Sequence, residues 1–308
     1  MHFLNLIRWK NLVLIALVQC LIKYALLNPF QDSYGVQTTL QPLGFLVLVL
    51  ATLCIAAAGY IINDIQDVEA DKINKPDRVI IDTYISEKLA TNLFIVLNVI
   101  GVVLGYILSY SVEQTNFFAI FIIVSGLLYI YSTYLKSILL VGNIVISLIV
   151  ALSIIIVGVF DILPVISDNN RDIQVFFFKL ILDYAVFAFM INLLRELIKS
   201  IEDVDGDYKI GVQSLPIILG RERANKIVFI LSVIPIICII FYVVNNLFKQ
   251  LVAVGYFLIF VIAPLIYVTI KLYTAESKKD YHFTSSILKF VMLTGMLSIL
   301  LYQFILLN

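Results

Sequence analysis

Apolar residues in this chain fall into long unbroken runs instead of alternating with polar ones. Nine runs of roughly 20 residues, the length that crosses a hydrocarbon core of about 30 Å, cover 8–28, 40–63, 89–110, 116–134, 138–161, 175–199, 226–247, 251–272 and 285–307. No run has the period-2 pattern of a barrel strand, and a bilayer requires each backbone N–H to be bonded within its own segment. The pattern therefore predicts an all-α membrane protein of nine transmembrane helices, with residues 1–308 forming a single multi-pass domain.

Composition supports lipid as the solvent. Apolar residues make up 62% of the 308 and charged ones 14%, against about 45–50% and about 25% in soluble domains. The 21 basic and 21 acidic side chains cancel, leaving no global field to hold a nucleic acid. Cys20, Cys54 and Cys238 stand singly in apolar runs and read as packing residues. His2 and His282 lie at opposite ends of the chain, too dispersed for a histidine metal site.

Lysines and arginines crowd at the amino end, in the even-numbered connections and at the segment ends beside them. Arg171 and Lys249 are the exceptions on the other side, and Lys23 and Lys179 lie inside segments. The positive-inside rule then predicts a cytoplasmic N-terminus and, after nine crossings, a C-terminus outside. The first segment has no small-residue cleavage site after it and reads as a retained anchor. The lack of an arginine- and serine-rich leader points to a prokaryotic plasma membrane.

Two long connections on the cytoplasmic side, 64–88 and 200–225, begin where an apolar helix runs into acids. The second segment ends in GYIINDIQDVEADKINKPDR. On one helix, Asn63, Asp67 and Asp71 span roughly 80°, and Asp64, Asp67 and Asp71 roughly 60°, so all four side chains can face one cavity. The sixth segment ends in NLLRELIKSIEDVDGDYKIGVQSLP, with Glu196, Lys199, Asp203 and Asp207 at spacings of three, four and four. Asp67 and Asp71 fall on Asp203 and Asp207 at one common offset, which suggests two four-helix halves, 8–134 and 138–272, followed by a final helix at 285–307.

Solvated interfacial charge is the simpler reading of a single such cluster. Two matched clusters of mutually repelling carboxylates point instead to a divalent cation. Mg²⁺ is the ion that takes carboxylates together with substrate phosphate oxygens, with Asp64, Asp67, Asp71, Asp203 and Asp207 as its ligands. Lys72, Lys75, Arg78, Lys199 and Lys209 accompany the acids, as a diphosphate leaving group would require.

These residues resemble the UbiA-type intramembrane prenyltransferases, whose pattern is NDxxDxxxD after the second helix and DxxxD after the sixth. Both patterns are present, at 63–71 and 203–207. Further matches are Asn74, Pro76 and Arg78; Tyr131, Lys136 and Gly142-Asn143; and Gly211 with Leu215-Pro216. The resemblance implies a bundle around a central cavity open to lipid, capped by the two cytoplasmic loops. It also implies Mg²⁺-dependent transfer of a polyprenyl group from its diphosphate to a lipophilic or aromatic acceptor.

By position, the five aspartates would hold the metal-diphosphate together with Asn63. Arg78, Lys136 and Lys199 would be counter-charges, and Lys72 and Asn143 further substrate-binding residues. Tyr131 would face the allylic carbocation, a role that aromatic faces suit. Tyr129 and Tyr134 read equally well as an interfacial belt. Ser200 stands where many members of the family have another aspartate, leaving one ligand fewer.

The string RELIKSIEDVDGD is most similar to members that prenylate glycerol phosphate lipids, the digeranylgeranylglyceryl phosphate synthase type. That likeness implies geranylgeranyl diphosphate as donor and geranylgeranylglyceryl phosphate as acceptor. An aromatic quinone precursor such as 4-hydroxybenzoate or 1,4-dihydroxy-2-naphthoate is the alternative. A secondary transporter, the reading from a different class, would place its charges near the midplane and not at one surface.

Overall fold

The computed structural model describes residues 2–307, apart from the side chain of Arg78. Among the described residues nine helices are long and apolar enough to cross a membrane: α1 (Trp9–Tyr34), α2 (Pro42–Gln66), α3 (Glu87–Ser111), α4 (Thr115–Thr133), α5 (Val141–Val165), α6 (Arg171–Glu202), α7 (Arg221–Leu247), α8 (Leu251–Tyr273) and α9 (Lys278–Leu307). All nine expected segments are there. Some ends move outward where hydropathy stops but helix continues, while α2 and α5 begin two and three residues later than expected. The α6 helix starts at Arg171 and not at 175, and α9 starts seven residues before 285. Ser277 and Asp280 form a capping box at the start of α9, satisfying backbone N–H groups that hydropathy does not register.

Outward faces are apolar, as lipid demands. Val96, Val99 and Val103 on α3 and Ile230, Ile237 and Phe241 on α7 are all exposed. The α2 helix packs on α3, α4 and α1, α5 packs on α6, and α6 also meets α7 and α9. Every long helix except α3 lines one central cavity of about 950 Å³.

One end of the cavity is closed by core. Phe30, Phe160 and Phe177 are completely buried there with Leu26 and Leu27. Within this plug Lys23, on a π-helical turn of α1, pairs with Asp161 of α5 at 2.9 Å and donates to the Leu40 carbonyl at 2.8 Å. The Leu40 N–H donates to the same carboxylate. Both charges are almost fully shielded from solvent, and their pairing joins three parts of the chain that hydropathy treats separately.

At the opposite end, short helices Val68–Asn74, Val204–Lys209 and Leu215–Leu219 follow α2 and α6. Asp67 and Asp203 occupy equivalent joints, each ending a long helix and opening a short one. The acids of each motif are therefore divided between two helical pieces. The single continuous helix expected for the first motif is not formed.

Candidate active site

The mouth of the cavity is polar and its depth apolar. Asn63, Asp64, Asp67 and Asp71 reach it from the first joint, and Asp203 and Asp207 from the second. The two short helices carrying these acids are clamped together by Asn74. Its amide donates to the Asp203 carbonyl at 2.8 Å and accepts from the Gly206 N–H at 3.0 Å. A side chain at Gly206 would put a Cβ 2.6 Å from the Ala70 carbonyl oxygen, so only glycine permits this approach.

Cations stand on the carboxylates. Arg8 pairs with Asp64 at 2.6 Å and Lys75 with Asp203 at 2.6 Å, while Lys136 is bonded to Asp67. Asn63 donates to the same Asp67 oxygen at 2.7 Å. The turn that carries Lys136 is fixed by the second motif's loop, since the Gln213 N–H donates to the Ser137 carbonyl at 3.0 Å. Burial works against the ammonium of Lys136, but Asp67 and the Tyr131 oxygen outweigh it and hold its pKa well above the usual lysine range.

The unpaired acids feel the crowding. Burial pushes the Asp207 carboxyl up to about 6, and Asp203 and Asp67 add to the rise against the pull of Lys136. Asp71 is raised by burial and then by Asp67. The Asp203 Oδ1 atom is buried with no hydrogen-bond partner among the described residues.

No group of three or more His, Cys, Asp or Glu among the described residues forms a ready-made metal cluster. Arg8, Lys75 and Lys136 occupy oxygens of Asp64, Asp203 and Asp67 instead. Hard oxygen donors from both motifs, an orphaned Oδ1 and a carboxyl that resists ionising beside its neighbours nevertheless suit a hard divalent cation.

Residues 33–302 match the UbiA prenyltransferase family. The chain belongs to that family. Among curated relatives, digeranylgeranylglyceryl phosphate synthase of Methanosphaera stadtmanae is 31% identical over 257 residues, 82% of this chain and 86% of that one. The synthase of the same name from Saccharolobus solfataricus is 35% identical over 233 residues, 75% and 77% of the two chains.

Solved structures show the same fold. A digeranylgeranylglyceryl phosphate synthase structure matches with TM-score 0.63 and 24% identity over 97% of this chain and 98% of that one. A UbiA homologue from Aeropyrum pernix K1 gives TM-score 0.65 at 15% identity, covering 91% and 96%. Another from Archaeoglobus fulgidus, bound to DMAPP and Mg²⁺, gives TM-score 0.55 at 16% identity, covering 97% and 99%.

The prenyltransferase cavity gathers most of the residues singled out in the sequence, including Tyr131, Lys136, Asn143 and Lys199. Exposed Lys209 does not line it, and neither does Lys72. Among the described residues it pairs with Glu69 three positions earlier, both exposed, and it does not line the cavity. The side chain of Arg78 lies outside the described residues. Tyr129 and Tyr134 face outward, so of the three tyrosines only Tyr131 reaches the cavity.

Ser200 accepts from the Asn143 amide at 3.2 Å and donates to the Glu196 carbonyl, tying α5 to α6. Glu202 is not solvated, being buried beside His282 at 3.0 Å, whereas Asp205 is exposed. Sequence reasoning passed over Arg8 and Arg195. Arg8 had the signature of an ordinary topology-setting charge, yet it lies over the Tyr60 ring at 5.1 Å as well as on Asp64. Arg195 pairs with Glu196 at 2.7 Å on the cavity wall.

Proposed function

We propose that this protein transfers a geranylgeranyl group from its diphosphate to geranylgeranylglyceryl phosphate, with Mg²⁺ held by the aspartates of the two motifs. One observation carries the reading: two acidic motifs far apart in sequence meet at the polar mouth of a single deep apolar cavity. The relatives named digeranylgeranylglyceryl phosphate synthase favour a glycerol phosphate lipid over an aromatic acid as acceptor. The Archaeoglobus fulgidus homologue bound to DMAPP and Mg²⁺ supports the metal and the donor class.

Asp64, Asp67, Asp71, Asp203 and Asp207 would hold the ion, which when bound neutralises charge on the departing diphosphate. Lys136 and Lys75 are cations already placed among these acids, and Lys199 faces the same mouth. Their donors meet the diphosphate oxygens as the allylic C–O bond breaks, stabilising charge where it develops. Asn63 holds the Asp67 carboxylate in position. Tyr131 offers an electron-rich face to the cationic prenyl carbon, and the acceptor hydroxyl oxygen attacks that carbon while its proton passes to the released diphosphate. Apolar walls keep competing water away from the carbocation.

In the bilayer, the mouth with its lysines and arginines faces the cytoplasm, as the positive-inside rule favours. The whole chain is read as one catalytic unit of two four-helix halves and a ninth helix, a reading supported by the equivalent joints at Asp67 and Asp203.

Purified protein assayed for diphosphate release tests the reading. Release from geranylgeranyl diphosphate is expected only with Mg²⁺ and with geranylgeranylglyceryl phosphate present, and Asp67→Asn or Asp203→Asn should abolish it. Release with 4-hydroxybenzoate instead would reassign the acceptor. Full activity in either variant would remove that aspartate from the site.

A further inference from the structure

The charges at the mouth divide into two groups of opposite sign. Among the described residues, Asp67, Asp71, Asp203 and Asp207 on the two joints are met by Lys75 and Lys136, an excess of acid that a divalent cation would balance. In the corner between α1, α2 and α6 the balance reverses. Arg8, Arg195 and Lys199 meet two carboxylates there, Asp64 and Glu196. On the prenyl-transfer reading, on which this inference rests, the first group suits a diphosphate that arrives with its metal. The second suits an anion that arrives without one.

Tyr60 is the hub of the second group. The Arg8 guanidinium lies over its ring at 5.1 Å, its hydroxyl is bonded to Asn11, and Arg195 and Glu196 are within electrostatic reach of it. Arg195 donates through Nη1 to Glu196 at 2.7 Å, and the same carboxylate accepts from Lys199 at 3.4 Å. The Arg195 Nε atom is buried with no hydrogen-bond partner among the described residues. A guanidinium carries five N–H donors in a planar fork, and a fork left with an orphaned donor is completed by a further oxygen anion beside Glu196. Arg195, Arg8 and Lys75 all repel the Lys199 ammonium, so an incoming anion also relieves crowded positive charge.

The spacing suits a glycerol phosphate. Tyr60 lies seven residues before Asp67 along α2, and Arg195 eight before Asp203 along α6. At ~1.5 Å per residue, both helices separate the two groups by about 10–12 Å. In a glycerol phosphate the phosphorus and the free hydroxyl oxygen lie ~5 Å apart, the attack distance is ~3 Å, and the allylic carbon starts ~3 Å from the phosphorus it leaves. Laid end to end, these lengths cover the gap. We infer that Arg195, with Arg8 beside it at Tyr60, takes the phosphate of the acceptor and so selects a phosphate monoester lipid over a neutral one.

The test compares geranylgeranylglyceryl phosphate with phosphate-free geranylgeranylglycerol as acceptors in wild type, Arg195→Gln and Arg195→Lys, each confirmed as folded by its unfolding temperature. Wild type is expected to favour the phosphate-bearing acceptor in kcat/KM by about hundredfold or more, since a site built for a polar group rejects the analogue lacking it. Arg195→Gln should cut that preference by about tenfold or more through the acceptor KM, and Arg195→Lys should restore part of it. A merely structural role would slow both acceptors alike, so a folded Arg195→Gln protein that keeps the wild-type ratio overturns the inference.

Binding is read apart from turnover. In EDTA, millimolar glycerol 1-phosphate should raise the unfolding temperature of detergent-solubilised wild type and not that of Arg195→Gln. Stabilisation that is absent, or that requires Mg²⁺, overturns the inference, as does stabilisation of wild type by 4-hydroxybenzoate alone. If no acceptor is turned over while the metal-free stabilisation is lost in Arg195→Gln, the prenyl-transfer reading fails and the phosphate site stands.

Discussion

Lys136 is bonded to the Asp67 carboxylate on the wall of the cavity and stays charged although it is partly buried. Removing it leaves Asp67 with only Asn63 and removes a preplaced cation from the leaving group. Lys136→Met is expected to lower kcat by about 10²–10³, the cost of losing one preorganised charge-stabilising donor, with a much smaller effect on KM for the acceptor. Steady-state kinetics in detergent checks the split. Asp207 gives a pH prediction at the same scale. Its folded pKa of about 6 lies above the ordinary 3.8. Without metal, the stabilisation from protonating it is fully present below the ordinary value and is lost as pH rises through about 6. Mg²⁺ replaces the proton, so the rise in unfolding temperature on adding Mg²⁺ should be larger at about pH 7.5 than at about pH 5. Equal shifts at both pH values would remove Asp207 from the metal-binding set.

At the scale of elements, the joint between the two short cap helices decides whether the motifs meet. Asn74 bridges them by side-chain hydrogen bonds, Lys278 at the start of α9 donates to the Asn74 carbonyl at 2.7 Å, and Gly206 allows the close approach. Gly206→Val should push the helices apart and cost about 1–3 kcal/mol of stability by overpacking. Activity should fall further than stability does, because Asp203 and Asp207 move with their helix. Asn74→Ala keeps the volume compatible but leaves the buried Gly206 N–H without its acceptor, costing about 1–3 kcal/mol. Denaturation in detergent beside the diphosphate-release assay separates the two effects.

Across the whole molecule, the end of the bundle away from the mouth is sealed by a buried charge pair inside an apolar plug. Lys23→Met alone leaves Asp161 charged and buried, and should destabilise the protein by about 3–5 kcal/mol. Replacing both partners, as Lys23→Met with Asp161→Leu, should recover most of that loss. A double variant as unstable as the single one would show that the bond from the Leu40 N–H to the Asp161 carboxylate, and not the ion pair, holds this end.

Periodicity and composition determined the number of helices, their rough limits and the acidic character of one end, because lipid imposes its length and polarity on each segment independently of the others. The repeated aspartate spacing was likewise legible, since motif residues that share a helix face are fixed by local geometry. Sequence could not show that α2 and α6 each break at their aspartate, or that Lys72 turns outward to Glu69 while Lys75 turns inward to Asp203. Neighbouring lysines look alike until a partner from a distant helix selects between them. Arg8, Arg195 and the pairing of Lys23 with Asp161 had the appearance of single topology-setting or stray charges, for the same reason. The polar contacts deep in the bundle were decided only by packing: Tyr184, Tyr242, Ser298 and Tyr302 lie on three helices, and only the folded bundle brings them together.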